Sequence, residues 1–321
     1  MNALDIETNL SPSSINGNPH VERLEAALKQ QLDQTSTYTA SKDCDQVIAE
    51  LRTLGQLDKN TEQLRSSLAT KGGISLFAAF ACLFLAFLTL GVTLIFAIPA
   101  LIYGITQFSK RSGLSNYDVQ DRFYLAPINM LEKLKADIPP GQPVNVKIDF
   151  NDYSNSRYEK SSEGGGVFSS IKRNKYEILW FELSGCLMEG TKFRVRISQS
   201  IKRKSKTKKR GTKISESLRE KYSIMLLPAA DRYMDLAALP HVIRLQKQAH
   251  DFFDGMIAPE PSVQVRDGRA IVQSLTSTVT RTYMHGTPPR QPFQDTLGTF
   301  SLNLFRLTFA GLQSIKTGSQ S

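Results

Sequence analysis

The residues from Ile74 to Ile105 constrain this chain more than any others. They read ISLFAAFACLFLAFLTLGVTLIFAIPALIYGI, 32 positions without one Asp, Glu, Lys, Arg, His, Asn or Gln. A bilayer core takes roughly 20 apolar residues per helical span, and buried helices of soluble domains rarely run this long. The stretch therefore predicts an integral membrane protein.

One unbroken helix of this length would measure about 48 Å against a hydrocarbon core of about 30 Å, more than ordinary tilt absorbs. Two arrangements remain. A single span could run from Leu76 to Ile98 and stop near Pro99. Alternatively, two short helices could turn at Thr89-Leu90-Gly91-Val92-Thr93, where Gly91 tolerates φ > 0. Lys71 flanks the start of the run and Lys110 and Arg111 flank its end, so both flanks read as cytoplasmic. The hairpin satisfies both flanks and is the expectation adopted, with both termini cytoplasmic. Ala78, Cys82 and Ala86 recur every four residues, as do Ala100 and Gly104, and that spacing lets helix backbones approach closely. With Gly91, these are the candidate helix-packing positions.

Four regions follow from this segment. Residues 1–20 are polar, rich in Ser, Asn and Pro, and read as a disordered arm without a secretory signal. Residues 21–72 are helical: Val21, Leu24, Leu28 and Leu32 share one face, a polar break follows at QTSTYTAS, and Val47, Leu51, Leu54, Leu57, Leu64 and Leu68 continue at steps of three and four once Thr61 is counted in the seam. So narrow a stripe resembles a short coiled coil and points to self-association or to a fold-back within the chain. Lys71-Gly72-Gly73 reads as a flexible joint before the transmembrane segment, residues 74–108.

Residues 110–321 are long enough to bury a core. After a helical stretch ended by Pro139-Pro140-Gly141, Val144–Phe150 alternates apolar and polar, as does Lys192–Ile201, the period of half-buried strands, and Lys175–Leu183 around Trp180 is a β-rich run. Tyr222–Leu227 reads as a further strand, and Ser262–Arg266, Asp267-Gly268 and Arg269–Gln273 as a hairpin. Helices are expected from Pro240 and from Phe293 to Ile315. The fold class predicted is α+β: a helical arm, a transmembrane hairpin and an antiparallel-sheet domain with flanking helices.

Charge is placed unevenly. Residues 1–73 carry seven Lys/Arg against ten Asp/Glu, whereas residues 106–321 carry 33 against 20. The densest run, Lys202–Lys213, holds eight cations in twelve positions: Lys202, Arg203, Lys204, Lys206, Lys208, Lys209, Arg210 and Lys213. Lying between two predicted strands, it reads as an exposed basic loop. Its cations would draw anionic lipid headgroups, or alternatively nucleic-acid phosphates, although no aromatic residues interleave it for base stacking.

Catalytic patterns are missing from the sequence. Gly164-Gly165-Gly166 lacks the GK[ST] of a phosphate loop, and His250 with Asp254 reads as a surface pair on a helix. Cys44, Cys82 and Cys186 fall one to a region and form no metal spacing with His20, His241, His250 or His285. No catalytic residue, metal or cofactor is assigned. The expectation is a membrane-anchored, non-enzymatic interaction or scaffold protein. An enzyme with a site assembled from scattered residues and a membrane-tethered nucleic-acid binder stand as the alternatives.

Overall fold

A computed structural model describes residues 19–86, 94–114, 119, 121–164, 170–208, 211–229, 236–249, 261–266, 268–275, 279–284 and 296–317. These residues are α+β, with six α-helices and an antiparallel sheet of nine strands. The helices are α1 (Pro19–Thr35), α2 (Cys44–Ala86), α3 (Leu94–Gly113), α4 (Arg122–Leu134), α5 (Leu239–Ala249) and α6 (Thr296–Thr317). The strands are β1 (Thr37–Lys42), β2 (Val144–Asp149), β3 (Glu159–Gly164), β4 (Ile171–Cys186), β5 (Lys192–Lys208), β6 (Gly211–Leu227), β7 (Ser262–Arg266), β8 (Arg269–Leu275) and β9 (Val279–Met284). The chain divides into two compact units, residues 1–36 with 52–121 and residues 37–51 with 122–321.

The first unit is helical. α2 is the one described helix long and apolar enough to cross a membrane. It continues through Lys71-Gly72-Gly73, which is therefore helix and not a joint. Gly72 is needed for closeness: a Cβ there would lie 2.9 Å from the Phe108 ring of α3. Gly104 of α3 is equally tight, since a Cβ would come within 2.9 Å of Leu76 Cγ and 3.3 Å of the Gly72 carbonyl oxygen. The Ser75 hydroxyl donates to the Ala100 carbonyl at 2.6 Å, and Ala79 and Ala97 are buried. Large apolar side chains point the other way. Phe77 and Phe84 are more than 70% exposed, at 76% and 73%, and Ile74, Phe80, Ile95, Phe96 and Ile102 are exposed with them. Nearer its start α2 buries Leu54, Leu57 and Leu68, while Leu64 faces out. Buried Asp58 accepts the Val119 backbone N–H at 2.7 Å. The expected turn at residues 89–93 lies outside the described residues.

The second unit is built on the sheet, ordered β1-β2-β4-β5-β6-β8-β7. β2 pairs with β4 near Phe181–Ser184, and β3 pairs with its other half from Lys172 to Tyr176. β6 is shared the same way, by β8 over Lys221–Leu226 and by β9 over Lys213–Leu218. β4, β5 and β6, each about 50–55 Å long, therefore run continuously through two sets of neighbours. TYTASK, read above as part of a polar break, is β1: it pairs along its whole length with β2 and turns Tyr38 and Ala40 into the core.

One face of the sheet is covered. Phe123 of α4 meets Trp180 edge-on at 5.1 Å, and Phe193 of β5 meets Phe305 of α6 at 5.6 Å. The start of α2 joins this layer, its Cys44 thiol donating to the Leu131 carbonyl of α4 at 3.7 Å. Burial of such side chains contributes about 1.5–3 kcal/mol each and holds the helices on the sheet. Farther along, Tyr153 lies on Tyr176 with ring centroids 5.6 Å apart, and Tyr176, Ile201 and Leu218 form a cluster beneath Tyr153 and Tyr158.

Candidate functional site

Residues paired across antiparallel strands share a face, so register assigns every side chain of the long strands. The covered face takes Ile197, Gln199, Ile201 and Arg203 of β5 with their partners Tyr222, Glu220, Leu218 and Glu216 of β6. Two of those partners are buried carboxylates, each with its own donors. Glu220 Oε2 accepts the Tyr222 hydroxyl at 2.9 Å, and Glu220 Oε1 accepts Gln199 Nε2. Glu216 Oε1 accepts the hydroxyls of Tyr283, at 2.6 Å, and of Tyr153, with Arg203 Nε at 3.7 Å. Burial, then the Glu216 hydrogen bond, pushes the Tyr153 and Tyr283 hydroxyls above the usual tyrosine range, so both remain donors at neutral pH.

The opposite face carries the charge. Lys202, Lys204, Lys206 and Lys208 point out from β5, and all are exposed. This corrects the expected loop: described residues 202–208 and 211–213 are strand, and the strand period puts the lysines on one face. Lys213 joins the outer set from β6, Arg203 turns inward to Glu216, and Lys209 and Arg210 lie outside the described residues. Further cations on the neighbouring strands complete the face. Lys175 stands opposite Lys202, Arg173 opposite Lys204, and Lys213 opposite Lys206. Cross-strand like charges in that position are destabilising. Arg219 and Lys221 extend the face along β6, and Lys192, Arg194 and Arg196 along β5. The acids sharing it on these three strands are Glu177 and Glu182. Glu182 is divided between Arg196 Nε at 3.0 Å and Arg194 Nε at 3.4 Å.

The signal that could have found this face is the two-residue period of KRKSKTK, with Lys on one parity and Arg, Ser and Thr on the other. Charge density hid it.

The candidate helix-packing residues are placed as follows. Gly104 is buried against Leu76, and Ala100 accepts from Ser75. Ala78 is exposed and Cys82 half-buried, while Ala79, one position on, is fully buried. The Ala86 side chain and Gly91 lie outside the described residues, as do His250 and Asp254. Among the described residues no group of three His, Cys, Asp or Glu could hold a metal ion. Comparison with protein-family models, curated proteins and solved structures finds no match.

Proposed function

We propose that this is a membrane-anchored, non-enzymatic interaction protein whose sheet domain offers its cationic face to an anionic leaflet at the cytoplasmic surface. One observation carries the reading: on the outer face, cations stand directly opposite cations at Lys175–Lys202, Arg173–Lys204 and Lys206–Lys213. Such pairs cost stability in the free protein, and a layer of phosphate headgroups relieves the repulsion while gaining about 1 kcal/mol per basic residue at the surface.

Anchoring rests on the helices. Exposed Phe and Ile with buried Gly and Ala invert the pattern of a helix pair in water and suit one in lipid, where small residues permit contact. In this reading the apolar end of α2 and α3 are the two arms of a transmembrane hairpin. The helices before it, read as a coiled-coil-like arm, serve self-association. Binding is favoured over catalysis because Glu216 and Glu220 are consumed by donors inside the sheet.

The test is a lysine-acetylation footprint of the full chain in nanodiscs of phosphatidylserine or of phosphatidylcholine. Protection of Lys202, Lys204 and Lys206 confined to the anionic discs, and reversed by salt as the Debye length shrinks below about 8 Å, is expected. Equal footprints in both discs would remove the lipid partner. The second reading, nucleic-acid binding, is favoured by the continuity of the face over three strands; protection brought about by duplex RNA or DNA in phosphatidylcholine discs would select it.

A further inference from the structure

At the end of the outer face away from Lys202–Lys208, a cleft of about 440 Å³ opens between the strands, within the size range of small-ligand sites. Met225 and Leu227 of β6 contribute apolar lining. Three cations line it: Lys192 and Arg194 of β5, and Arg269 at the start of β8. Neutral donors complete it, the Ser184 hydroxyl of β4 and the Asn145 amide of β2, and no acid is among its lining residues. Glu182 reaches Arg194 Nε at 3.4 Å while also holding Arg196. One carboxylate split between two guanidiniums leaves the cleft with excess positive charge.

From this we infer that the cleft binds a doubly charged phosphate group. Guanidinium forks match phosphate oxygens two at a time, and two arginines with a lysine suit a dianion better than a single carboxylate. The site is separate from the opposed-cation stripe: Arg194 and Lys204 are ten residues apart on one strand, about 33 Å. It stands whether or not the stripe meets lipid. The same chemistry is offered by a free phosphorylated metabolite and by a phosphomonoester lipid headgroup.

Cys186 also lines the cleft, half-buried, so its alkylation reports occupancy at that position. The rate is to be followed by peptide mass spectrometry on the full chain in detergent, with pyrophosphate as the probe and chloride matching the ionic strength. Pyrophosphate is expected to slow Cys186 alkylation, with binding about 10- to 100-fold weaker in Arg269→Gln and in Arg194→Gln. Lys204→Gln, on the stripe, should leave that protection unchanged. A second arm compares nanodiscs containing phosphatidic acid with phosphatidylserine discs at equal charge. Protection by phosphatidic acid alone assigns the headgroup as the source, and protection by soluble pyrophosphate assigns the free ligand. Cys186 labelled at one rate in all these conditions would overturn the site. So would protection that survives both arginine substitutions, or that Lys204→Gln abolishes.

Discussion

Lys206 of β5 and Lys213 of β6 face each other across a pair of strands, both exposed on one side of the sheet. Opposed like charges cost roughly 0.2–1 kcal/mol, and Thr is a better strand former than Lys. Lys206→Thr is therefore expected to raise the melting temperature of the full chain in detergent by a few degrees in low salt. The gain should shrink in high salt, where screening has already weakened the repulsion. Thermal melts at two ionic strengths test this; a substitution that lowers the melting temperature at both would show that Lys206 stabilises the free ribbon.

Glu216 governs the covered side of the same strands, and its tyrosine donors set an alkaline limit. Tyr153 and Tyr283 have hydroxyls raised above the ordinary value of 10.0 by burial and by Glu216, and Tyr38 is raised by burial and by Glu50. Tyr158 is pushed up to about 12 by burial and its bond to Asp149. A folded-state value above the unfolded one means that the native chain holds its proton longer. Stability from these groups is complete below pH 10 and falls as pH rises beyond it. Melting temperature is expected to be insensitive to these hydroxyls from pH 7 to 9.5 and to drop above 10. Tyr38→Phe should lower stability at pH 8 and flatten the alkaline decline; an unchanged slope would place the alkaline transition elsewhere.

Period was legible wherever the covered positions were apolar. Val144, Val146 and Ile148 alternate cleanly, and the hairpin of β7 and β8 follows from its turn, where Gly268 takes φ 70°. The reading stopped where polar residues occupy covered positions. Glu216 and Glu220 interrupt the apolar parity of β6, and donors that include Tyr153, Tyr283 and Gln199, distant in sequence, and the nearby Tyr222 make those positions tolerable. β1 was hidden by hydroxyls, since Thr37, Thr39 and Ser41 belong equally to turns and to an outward strand face. The cleft joins Asn145, Ser184, Arg194 and Arg269, which only the register of five strands, β2, β4, β5, β6 and β8, brings together.

Close approach of α2 and α3 depends on Gly104. A leucine there must displace Leu76 and the Gly72 carbonyl, and overpacking of this kind costs about 1–3 kcal/mol. Gly73 meets nothing within 4 Å, so Gly73→Leu gains helix propensity without a clash. In detergent, Gly104→Leu is expected to melt lower than the parent and Gly73→Leu at or above it. Equal melting of the two variants would show that the helices separate without cost.

Under the proposed hairpin, the basic residues on both flanks of the apolar run put both ends of the chain on one side of the membrane. Reporters fused at Met1 and at Ser321 are both expected to be active in the cytoplasm. A reporter at Ser321 that works only outside the cytoplasm would establish a single crossing and move the cationic face to the other side.

The sheet borrows its edge from the far side of the apolar run, and this makes a strong prediction about fragments. β1 pairs with every residue of β2, and Tyr38 is 2% exposed with its hydroxyl donating to Glu50 Oε2 at 2.9 Å. Lys42 also reaches Glu50, and Val47 and Leu51 are fully buried. A fragment of residues 110–321 loses all of these and leaves β2 as an open edge, a template for pairing with other chains. It is expected to aggregate on purification or to melt well below the parent. Joining residues 37–51 to residue 122 by a flexible Gly/Ser linker should restore a soluble, cooperatively melting domain, because loop closure grows only slowly in cost with linker length. Tyr38→Ala in that joined chain should undo much of the gain, since it removes a buried ring and strands Glu50 without its donor. Equal stability of the bare fragment and the joined chain, by thermal melt and light scattering, would show that β1 is dispensable to the sheet.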